Sequence, residues 1–329
     1  MGQLVEGQWV AEDSAAGGTR YQRVASPLRH WITPDGSAGP TGDAGFRAEP
    51  GRYHLYASFA CPWAHRTLVY RQLKGLADLV GVSYTHWRIA DRGWSFEPDE
   101  DGLVGDRLFG AGHLMEIYLR HDPRYTGRVT VPVLWDQATG RIVNNESAEI
   151  IRMFDTAFAA FRPESPVFGP VSLQAETDRL NAFIYEAINN GVYRAGFAKS
   201  QQAYLEAVMP LFAAFDRLEE QLADRPFLLG DHPTEADWRL FPTLARFDIA
   251  YHGHFKCNLR RLMDYPRLWT YARRLYQWPG VAETCRFDHM KRHFYESHRH
   301  INPSGIVPVG PVIDFDSPVQ ALERSAFHA

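Results

Sequence analysis

Cysteine is scarce in this chain, which contains only Cys61, Cys257 and Cys285 among its 329 residues. Three thiols so far apart in sequence are too few for the disulfide framework of a small secreted protein. The cysteine content therefore indicates a reducing compartment, and any cysteine chemistry rests on single thiols.

Long apolar runs and an excess of one charge are also missing. No stretch approaches the roughly 20 apolar residues that a membrane span needs, and the first residues lack the basic and apolar regions of a signal peptide. Lys plus Arg (35) nearly balance Asp plus Glu (39), for a net charge of −4, which argues against a nucleic-acid binder and a cationic membrane-surface protein. We therefore expect a cytoplasmic protein that acts on small molecules, with neither nucleic acid nor a membrane as its partner.

Hydrophobic residues make up 45% of the chain, which is enough for the cores of two domains. Short runs rich in aromatic and β-branched residues predict strands at 52–57, 79–87, 129–135 and 141–143. Helices are predicted from Cys61 to about Leu76 and over 148–154, with Ser147 as the N-cap of the second. The resulting order of β-α-β followed by β-β-α is that of a thioredoxin fold.

The rest of the chain is predicted to be helical. A Pro-rich stretch at 161–170 marks a domain boundary, and a capping box of Thr234 and Asp237 opens one of the helices beyond it. The fold class is thus α/β followed by all-α. The predicted segments are an irregular N-terminal extension (1–45), a thioredoxin-like domain (46–160) with an insertion at about 88–125, an all-helical bundle domain (161–312) and a C-terminal tail (313–329).

Cys61 is the residue with the clearest chemistry. It lies between a predicted strand and a predicted helix, and Pro62 occupies the first helical turn, where its missing N–H costs nothing. Unpaired N–H groups and the positive end of the helix dipole favour thiolate over thiol, so Cys61 is predicted to be a nucleophile. A buried inert cysteine is the alternative, and we favour it for Cys257 and Cys285. Because Ala64 stands where a resolving cysteine would stand, an external thiol must clear a mixed disulfide at Cys61.

Two further segments suit the recognition of such a thiol. A cis bond between Val131 and Pro132 would leave the Val131 N–H and C=O free to pair with an extended peptide. At the next helix start, the Ser147 hydroxyl and N–H suit an α-carboxylate, and the Glu146 carboxylate suits an α-ammonium group. Glu146 and Ser147 together fit a γ-glutamyl end, although an acid beside an N-cap serine is common in helices.

Five motifs between about residues 40 and 310 carry a resemblance to a known family. They are Ser58-Phe-Ala-Cys-Pro-Trp-Ala-His-Arg66, Asp91-Arg-Gly-Trp-Ser-Phe96, Arg128-Val-Thr-Val-Pro132, Asn144-Asn-Glu-Ser147 and Tyr295-Glu-Ser-His-Arg-His-Ile-Asn-Pro-Ser-Gly-Ile306. Together they resemble the glutathionyl-hydroquinone reductases, the Xi class of the glutathione transferases. The resemblance implies a glutathione transferase fold, a homodimer, and reduction of S-glutathionyl-hydroquinones to hydroquinones, with glutathione as cosubstrate and no tightly bound cofactor.

The resemblance also implies roles for particular residues. It makes Cys61 the nucleophile. Tyr193 resembles the proton donor of the family, and Tyr251 and Tyr295 resemble tyrosines that stabilise the thiolate by donating hydrogen bonds. The residues implied to hold glutathione are Trp94, Arg128, Val129, Thr130, Val131, Glu146 and Ser147.

Other functions stay open at this point. An omega-type thioltransferase or dehydroascorbate reductase has a similar Cys-Pro motif, and a non-catalytic ligand-binding protein could share the fold. We predict no metal site, because His289 and His293 lack the Glu of an H-E-x-x-H motif and no third ligand is placed by spacing.

Overall fold

The computed structural model describes residues 2–11, 18, 20–21 and 23–319. The chain divides into two compact units, of which the first combines Met1–Val167 with Glu283–Pro308. The second combines Phe168–Ala282 with the segment that begins at Val309. The sequence analysis assigned 161–312 to one helical domain, whereas the structure groups Glu283–Pro308, within that range, with the first unit. Parts of the predicted extension (1, 12–17, 19 and 22) and of the predicted tail (320–329) lie outside the described residues.

The strands of the first unit are β1 (Gln3–Val5), β2 (Gln8–Val10), β3 (Tyr53–Ala57), β4 (Val80–Tyr84), β5 (Ile89–Ala90), β6 (Gly93–Trp94), β7 (Gly127–Arg128), β8 (Val133–Asp136) and β9 (Arg141–Asn144). Four strands of this unit, β3, β4, β8 and β9, coincide with predicted ones. Its helices are α1 (Pro62–Leu73), α2 (Leu114–His121), α3 (Ser147–Thr156) and, near the C-terminus, α9 (Phe287–Ser297). The helices of the second unit are α4 (Gln174–Ile184), α5 (Gly191–Gly196), α6 (Gln201–Gln221), α7 (Glu235–Arg246) and α8 (Pro266–Tyr276).

The central sheet of the first unit has the strand order β4-β3-β8-β9. β3 pairs with β4 in parallel, whereas β8 is antiparallel to both β3 and β9. α1 makes the crossover from β3 to β4 and packs against α3. Every residue of β3 is buried, as expected for the central strand of a covered sheet. The predicted thioredoxin-like arrangement is therefore confirmed, and it places Cys61 between the end of β3 and the start of α1.

The start of the N-terminal extension is not irregular as predicted. β1 and β2 form an antiparallel hairpin, and its turn residues Glu6 and Gly7 both have positive φ angles, of 47° and 76°. β1 also pairs with β7. Strands of three residues are too short to show a hydrophobic period, and the partner strand is remote in sequence, so local patterning gives no sign of this small sheet.

The two predicted N-caps have different outcomes. Ser147 is not an N-cap but the first residue of α3, and Glu146 takes the capping position by accepting a hydrogen bond from the Ala148 N–H at 3.1 Å. Serine is the commoner N-cap, and the sequence alone does not show that the Glu146 carboxylate reaches the Ala148 N–H instead. The capping box of Thr234 and Asp237 at the start of α7 is confirmed.

Two π-helical segments interrupt the second unit. One, Tyr185–Asn189, precedes α5, and the other, Phe247–Tyr251, follows α7. Such segments are rare and frequently occur at functional sites, because the extra residue in the turn changes the direction of the side chains that follow. No helix within the described ranges is long and apolar enough to cross a membrane.

His54 on β3 makes the stability of the first unit dependent on pH. Its Nε2 lies 2.8 Å from the Ser83 hydroxyl, and burial lowers the pKa of its imidazole from 6.5 to about 4. As the pH falls, His54 is therefore protonated in the unfolded chain before it is protonated in the folded protein. The contribution of neutral His54 to the free energy of unfolding is complete above pH ~6.5 and is lost as the pH falls toward 4. We expect His54 to account for up to about 3 kcal/mol of that loss.

Urea unfolding of the wild type and His54→Gln between pH 7.5 and 4.5 checks this expectation. The variant, which has no titrating group at this position, should lose less free energy of unfolding on acidification than the wild type. His232→Gln is the matched control, since His232 is exposed. Identical pH dependence of wild type and His54→Gln would contradict the assignment.

Candidate active site

Cys61 is the N-cap of α1, with φ −81° and ψ 122°, and Pro62 is the first residue of the helix. Cys61 is buried, with 7% of its surface exposed. Its Sγ lies 3.7 Å from the carbonyl oxygen of Val131. The sulfur is thus at the positive end of the α1 dipole, next to the segment in which a peptide-binding edge is predicted.

The Val131–Pro132 peptide bond is cis, an isomer that the sequence left open. The Val131 N–H has no hydrogen-bond partner among the described residues. A peptide that pairs in extended form with the backbone of Val131 would bring its own side chain close to Cys61. This pairing would suit the cysteinyl residue of glutathione, since its sulfur would then lie beside that of Cys61.

Tyr118 on α2 holds the segment before Val131 in place, a role that the sequence did not suggest. Its hydroxyl donates to the Thr130 carbonyl at 2.9 Å and accepts from the Thr130 N–H at 3.3 Å and the Asn145 side chain at 3.2 Å. Burial raises the pKa of Tyr118, so its hydroxyl remains a donor. Tyr118 thereby connects Thr130 to the segment that contains Glu146 and Ser147.

Glu146 and Ser147 lie side by side at the N-terminus of α3. Glu146 accepts hydrogen bonds from the Ala148 N–H and from the Ser26 hydroxyl, the latter at 3.2 Å. The Ser147 hydroxyl lies 3.5 Å from Nη1 of Arg66, which is buried. A helix N-terminus that combines a carboxylate, a hydroxyl and a nearby guanidinium can bind a zwitterionic amino-acid group.

A cavity of about 250 Å³ opens beside these residues. Of the residues predicted to hold glutathione, those that line it are Arg128, Thr130, Val131, Glu146 and Ser147. Its other walls are Trp63, Asn145, Pro132, Thr126, Gly127 and part of the N-terminal extension (Tyr21 and 23–27). The sequence did not predict that the N-terminal extension contributes to this wall. It did not predict a role for Trp63 either, although this residue belongs to the Cys-Pro-Trp-Ala motif.

Trp94 and Val129 do not line the cavity. Both are buried. The Trp94 ring stacks on His293 of α9, with ring centroids 5.3 Å apart and planes 10° from parallel. The glutathione-binding roles of Trp94 and Val129 stay predictions.

The three predicted tyrosines lie on different elements. In the second unit, Tyr193 on α5 and Tyr251 at the end of a π-helical segment have ring centroids 6.1 Å apart. Phe255 contacts both rings. Tyr295 belongs to α9 of the first unit and is half-buried. The structure therefore brings Tyr193 and Tyr251 together; Tyr193 lies in the helix that follows one π-helical segment, and Tyr251 ends the other.

The other two cysteines have different surroundings from Cys61. Burial raises the pKa of the Cys257 thiol well above its usual value, which favours the inert role expected from the sequence. Cys285 is half-buried, and its sulfur lies 3.7 Å from Nε2 of His65.

His289, for which the sequence predicts no metal-binding role, lies beside two aspartates. Its Nε2 lies 3.3 Å from a carboxylate oxygen of Asp99, and Asp101 lies nearby. Asp101 is paired with Arg286, which already supplies positive charge at this position. His293 instead packs on Trp94.

Comparison with known proteins identifies the family. The glutathione S-transferase N-terminal domain matches residues 60–157, and the C-terminal domain of the same family matches residues 201–274. The glutathionyl-hydroquinone reductase YqjG of Escherichia coli K12 is 50% identical over 320 residues, which cover 97% of this chain and 98% of YqjG. Its counterpart PcpF of Sphingobium chlorophenolicum is 50% identical over 313 residues, which cover 94% of this chain and 96% of PcpF.

Solved structures give the same result. The glutathione-bound structure of YqjG superposes with a TM-score of 0.90 at 48% identity and covers 97% of this chain and 98% of its own. The Xi-class transferase of Natrialba magadii superposes with a TM-score of 0.89 at 46% identity, covering 97% and 95%. The chain belongs to the Xi class of the glutathione S-transferase family. The resemblance inferred from the motifs is thus confirmed, as is the two-part fold of this class.

Proposed function

We propose that this protein is a glutathionyl-hydroquinone reductase that uses glutathione to convert S-glutathionyl-hydroquinones to hydroquinones. The observation that carries the proposal is the position of Cys61. Its sulfur lies at the N-terminus of α1 and 3.7 Å from the Val131 carbonyl, where a thiol-containing peptide can pair with the backbone. The nearly full-length similarity to YqjG and PcpF supports this choice of substrate.

The proposed reaction has two thiol-exchange steps at Cys61. A proton donated to the sulfur-bearing ring carbon, a role we assign to Tyr193, together with loss of a hydroxyl proton of the hydroquinone to solvent, gives a ketonic tautomer in which the carbon–sulfur bond is weakened. The Cys61 thiolate then attacks the glutathionyl sulfur, the carbon–sulfur bond breaks, and its electron pair restores the aromatic ring of the hydroquinone. A second glutathione, as thiolate, attacks the mixed disulfide at the glutathionyl sulfur, which releases glutathione disulfide and regenerates the Cys61 thiolate.

The binding residues have proposed roles in both steps. We assign the cysteinyl residue of glutathione to the backbone of Val131, and the γ-glutamyl end to Glu146 and Ser147. Arg128 and Thr130 complete the walls of the same cavity. We further propose that the protein acts in the cytoplasm and forms a homodimer. Light scattering at micromolar concentration tests the homodimer directly.

The test of the proposed function is a comparison of substrates. Purified protein with glutathione should reduce glutathionyl-menadione with a kcat/KM far above that for dehydroascorbate. A clear preference for dehydroascorbate would instead establish the omega-type activity. Absence of turnover with both, together with a Cys61 alkylation pKa near 8.5, would indicate a non-catalytic ligand-binding protein.

Tyr193→Phe should separate the protonation step from thiol exchange. We expect kcat on glutathionyl-menadione to fall by about 100-fold, since general acids typically contribute that much or more. On a simple mixed disulfide, whose cleavage needs no ring protonation, kcat should change by less than about 3-fold. Tyr204→Phe is the matched control, because Tyr204, on α6, donates to the Lys256 carbonyl and has no proposed catalytic role. Equal losses on both substrates would contradict a proton-donor role.

A further inference from the structure

The N-terminal extension is fixed to the start of α3 by hydrogen bonds. The backbone of Leu28 pairs with Asn145, whose N–H donates to the Leu28 carbonyl at 3.1 Å and whose side chain accepts from the Leu28 N–H at 3.3 Å. The Ser26 hydroxyl donates to Glu146 at 3.2 Å, and Arg29 forms an ion pair with Glu149. Residues just before Ser26 are therefore held against the proposed γ-glutamyl site.

Arg23 is the cation that this arrangement brings to the cavity. Its guanidinium carbon lies 3.8 Å from the centroid of the Trp63 ring, which is close enough for a cation–π interaction. Both residues line the cavity. Arg23 has no carboxylate partner within the described part of the chain, and its side chain is exposed. The wall thus presents a positioned positive charge that no protein anion neutralises.

Glu146 and Ser147 themselves supply no cation, and the other arginine among the described residues of the cavity wall is Arg128 on β7. Glu146 matches the α-ammonium group, but Ser147 offers the α-carboxylate only a neutral hydroxyl and the N–H groups of the helix start. Arg66 approaches Ser147 but is buried, with 2% of its surface exposed, and does not line the cavity. The guanidinium carbon of Arg66 also lies 4.7 Å from the Trp63 ring centroid. Arg23 and Arg66 thus contact the same ring, which places Arg23 at the end of the cavity where Ser147 lies.

We propose that Arg23 binds the α-carboxylate of the γ-glutamyl residue of glutathione, with Trp63 holding the guanidinium in place. This inference rests on the proposed function, because it assigns a specificity-determining residue to the same thiol cosubstrate. The N-terminal extension then forms part of the glutathione site, and a charge-assisted hydrogen bond from Arg23 discriminates glutathione from thiols without this carboxylate.

Direct binding measurements test the proposal without relying on turnover. Arg23→Met is placed in full-length Cys61→Ser protein, and dissociation constants are measured by calorimetry for three ligands. They are glutathione, its glycyl ethyl ester, and γ-aminobutyryl-cysteinyl-glycine, which lacks only the α-carboxylate. We expect Arg23→Met to weaken glutathione and the ester by about 10-fold or more, and the decarboxylated analogue by less than about 2-fold. Arg23→Lys should recover part of the affinity.

Each other outcome overturns the assignment. Unchanged glutathione affinity, or equal weakening of all three ligands, would mean that Arg23 acts only on local structure or not at all. A loss seen with glutathione but not with the ester would assign Arg23 to the glycyl carboxylate. Arg141→Met, which removes an exposed arginine outside the cavity, controls for the change in net charge. If the expected binding pattern appears but glutathionyl-menadione is not reduced, only the proposed function fails.

Discussion

Replacing Cys61 by serine should lower kcat for the reduction of glutathionyl-menadione by roughly 1,000-fold or more. A serine hydroxyl at the start of α1 is not ionised near neutral pH, so it cannot attack the glutathionyl sulfur, whereas the helix dipole favours a thiolate at this position. The variant should still bind glutathione, because the Val131 backbone and the N-terminus of α3 are unchanged. Steady-state kinetics and calorimetry on the same preparation separate the two effects.

Cys285→Ser is the matched control for this experiment. It makes the same atomic change at a half-buried cysteine that contacts His65 rather than Val131, and kcat should stay within about 2-fold of the wild type. Mass spectrometry of wild-type protein after a single turnover should find one glutathione attached at Cys61. Full activity of Cys61→Ser, or attachment at Cys285 instead, would refute the proposed nucleophile.

Asp237→Ala should produce the largest loss of stability in the second unit, about 4 kcal/mol or more in the free energy of unfolding. The buried Asp237 carboxylate accepts hydrogen bonds from the Thr234 N–H and hydroxyl, the Leu228 N–H and the Tyr271 hydroxyl. Removing it leaves four donors in a dry environment and also removes the capping box of α7. Urea unfolding followed by circular dichroism measures the change.

Asp224→Ala is the control for Asp237→Ala. The Asp224 side chain is 76% exposed and its ion pair with Arg225 lies on the surface, so its loss should change the free energy of unfolding by less than about 0.5 kcal/mol. Similar effects of the two substitutions would show that Asp237 is not the centre of the hydrogen-bond network.

The sequence predicted the parts of the site that depend on neighbours in the chain. A cysteine between a buried strand and a proline predicted the N-terminus of α1, because strand, turn and helix follow directly from local patterning. Glu146 and Ser147 were placed at a helix start for the same reason, with an error of one residue in the N-cap. The roles of Tyr193, Tyr251 and Tyr295 came from the resemblance alone, and they stay proposals.

The sequence could not predict contacts between distant segments. The Tyr118 hydroxyl, on α2, hydrogen-bonds to Thr130 and to the Asn145 side chain, and no periodicity in α2 distinguishes it from a core tyrosine. The sequence also did not predict that α9 groups with the first unit, because that grouping depends on contacts between distant segments. His293 on that helix stacks on Trp94, and only folding brings these remote positions together.

By itself the sequence determined the fold class and the Xi-class resemblance, and it singled out Cys61 as the proposed nucleophile, because each depends on short motifs and local hydrophobic periods. Only the tertiary structure decided which residues surround the cavity beside Glu146 and Ser147. It placed Arg23 over Trp63 and Ser26 against Glu146, and it left Trp94 outside the cavity wall. The physical reason is that hydrogen bonds over more than 100 residues of sequence separation and a ring contact between residues 23 and 63 leave no local pattern, whereas a helix start beside a strand does.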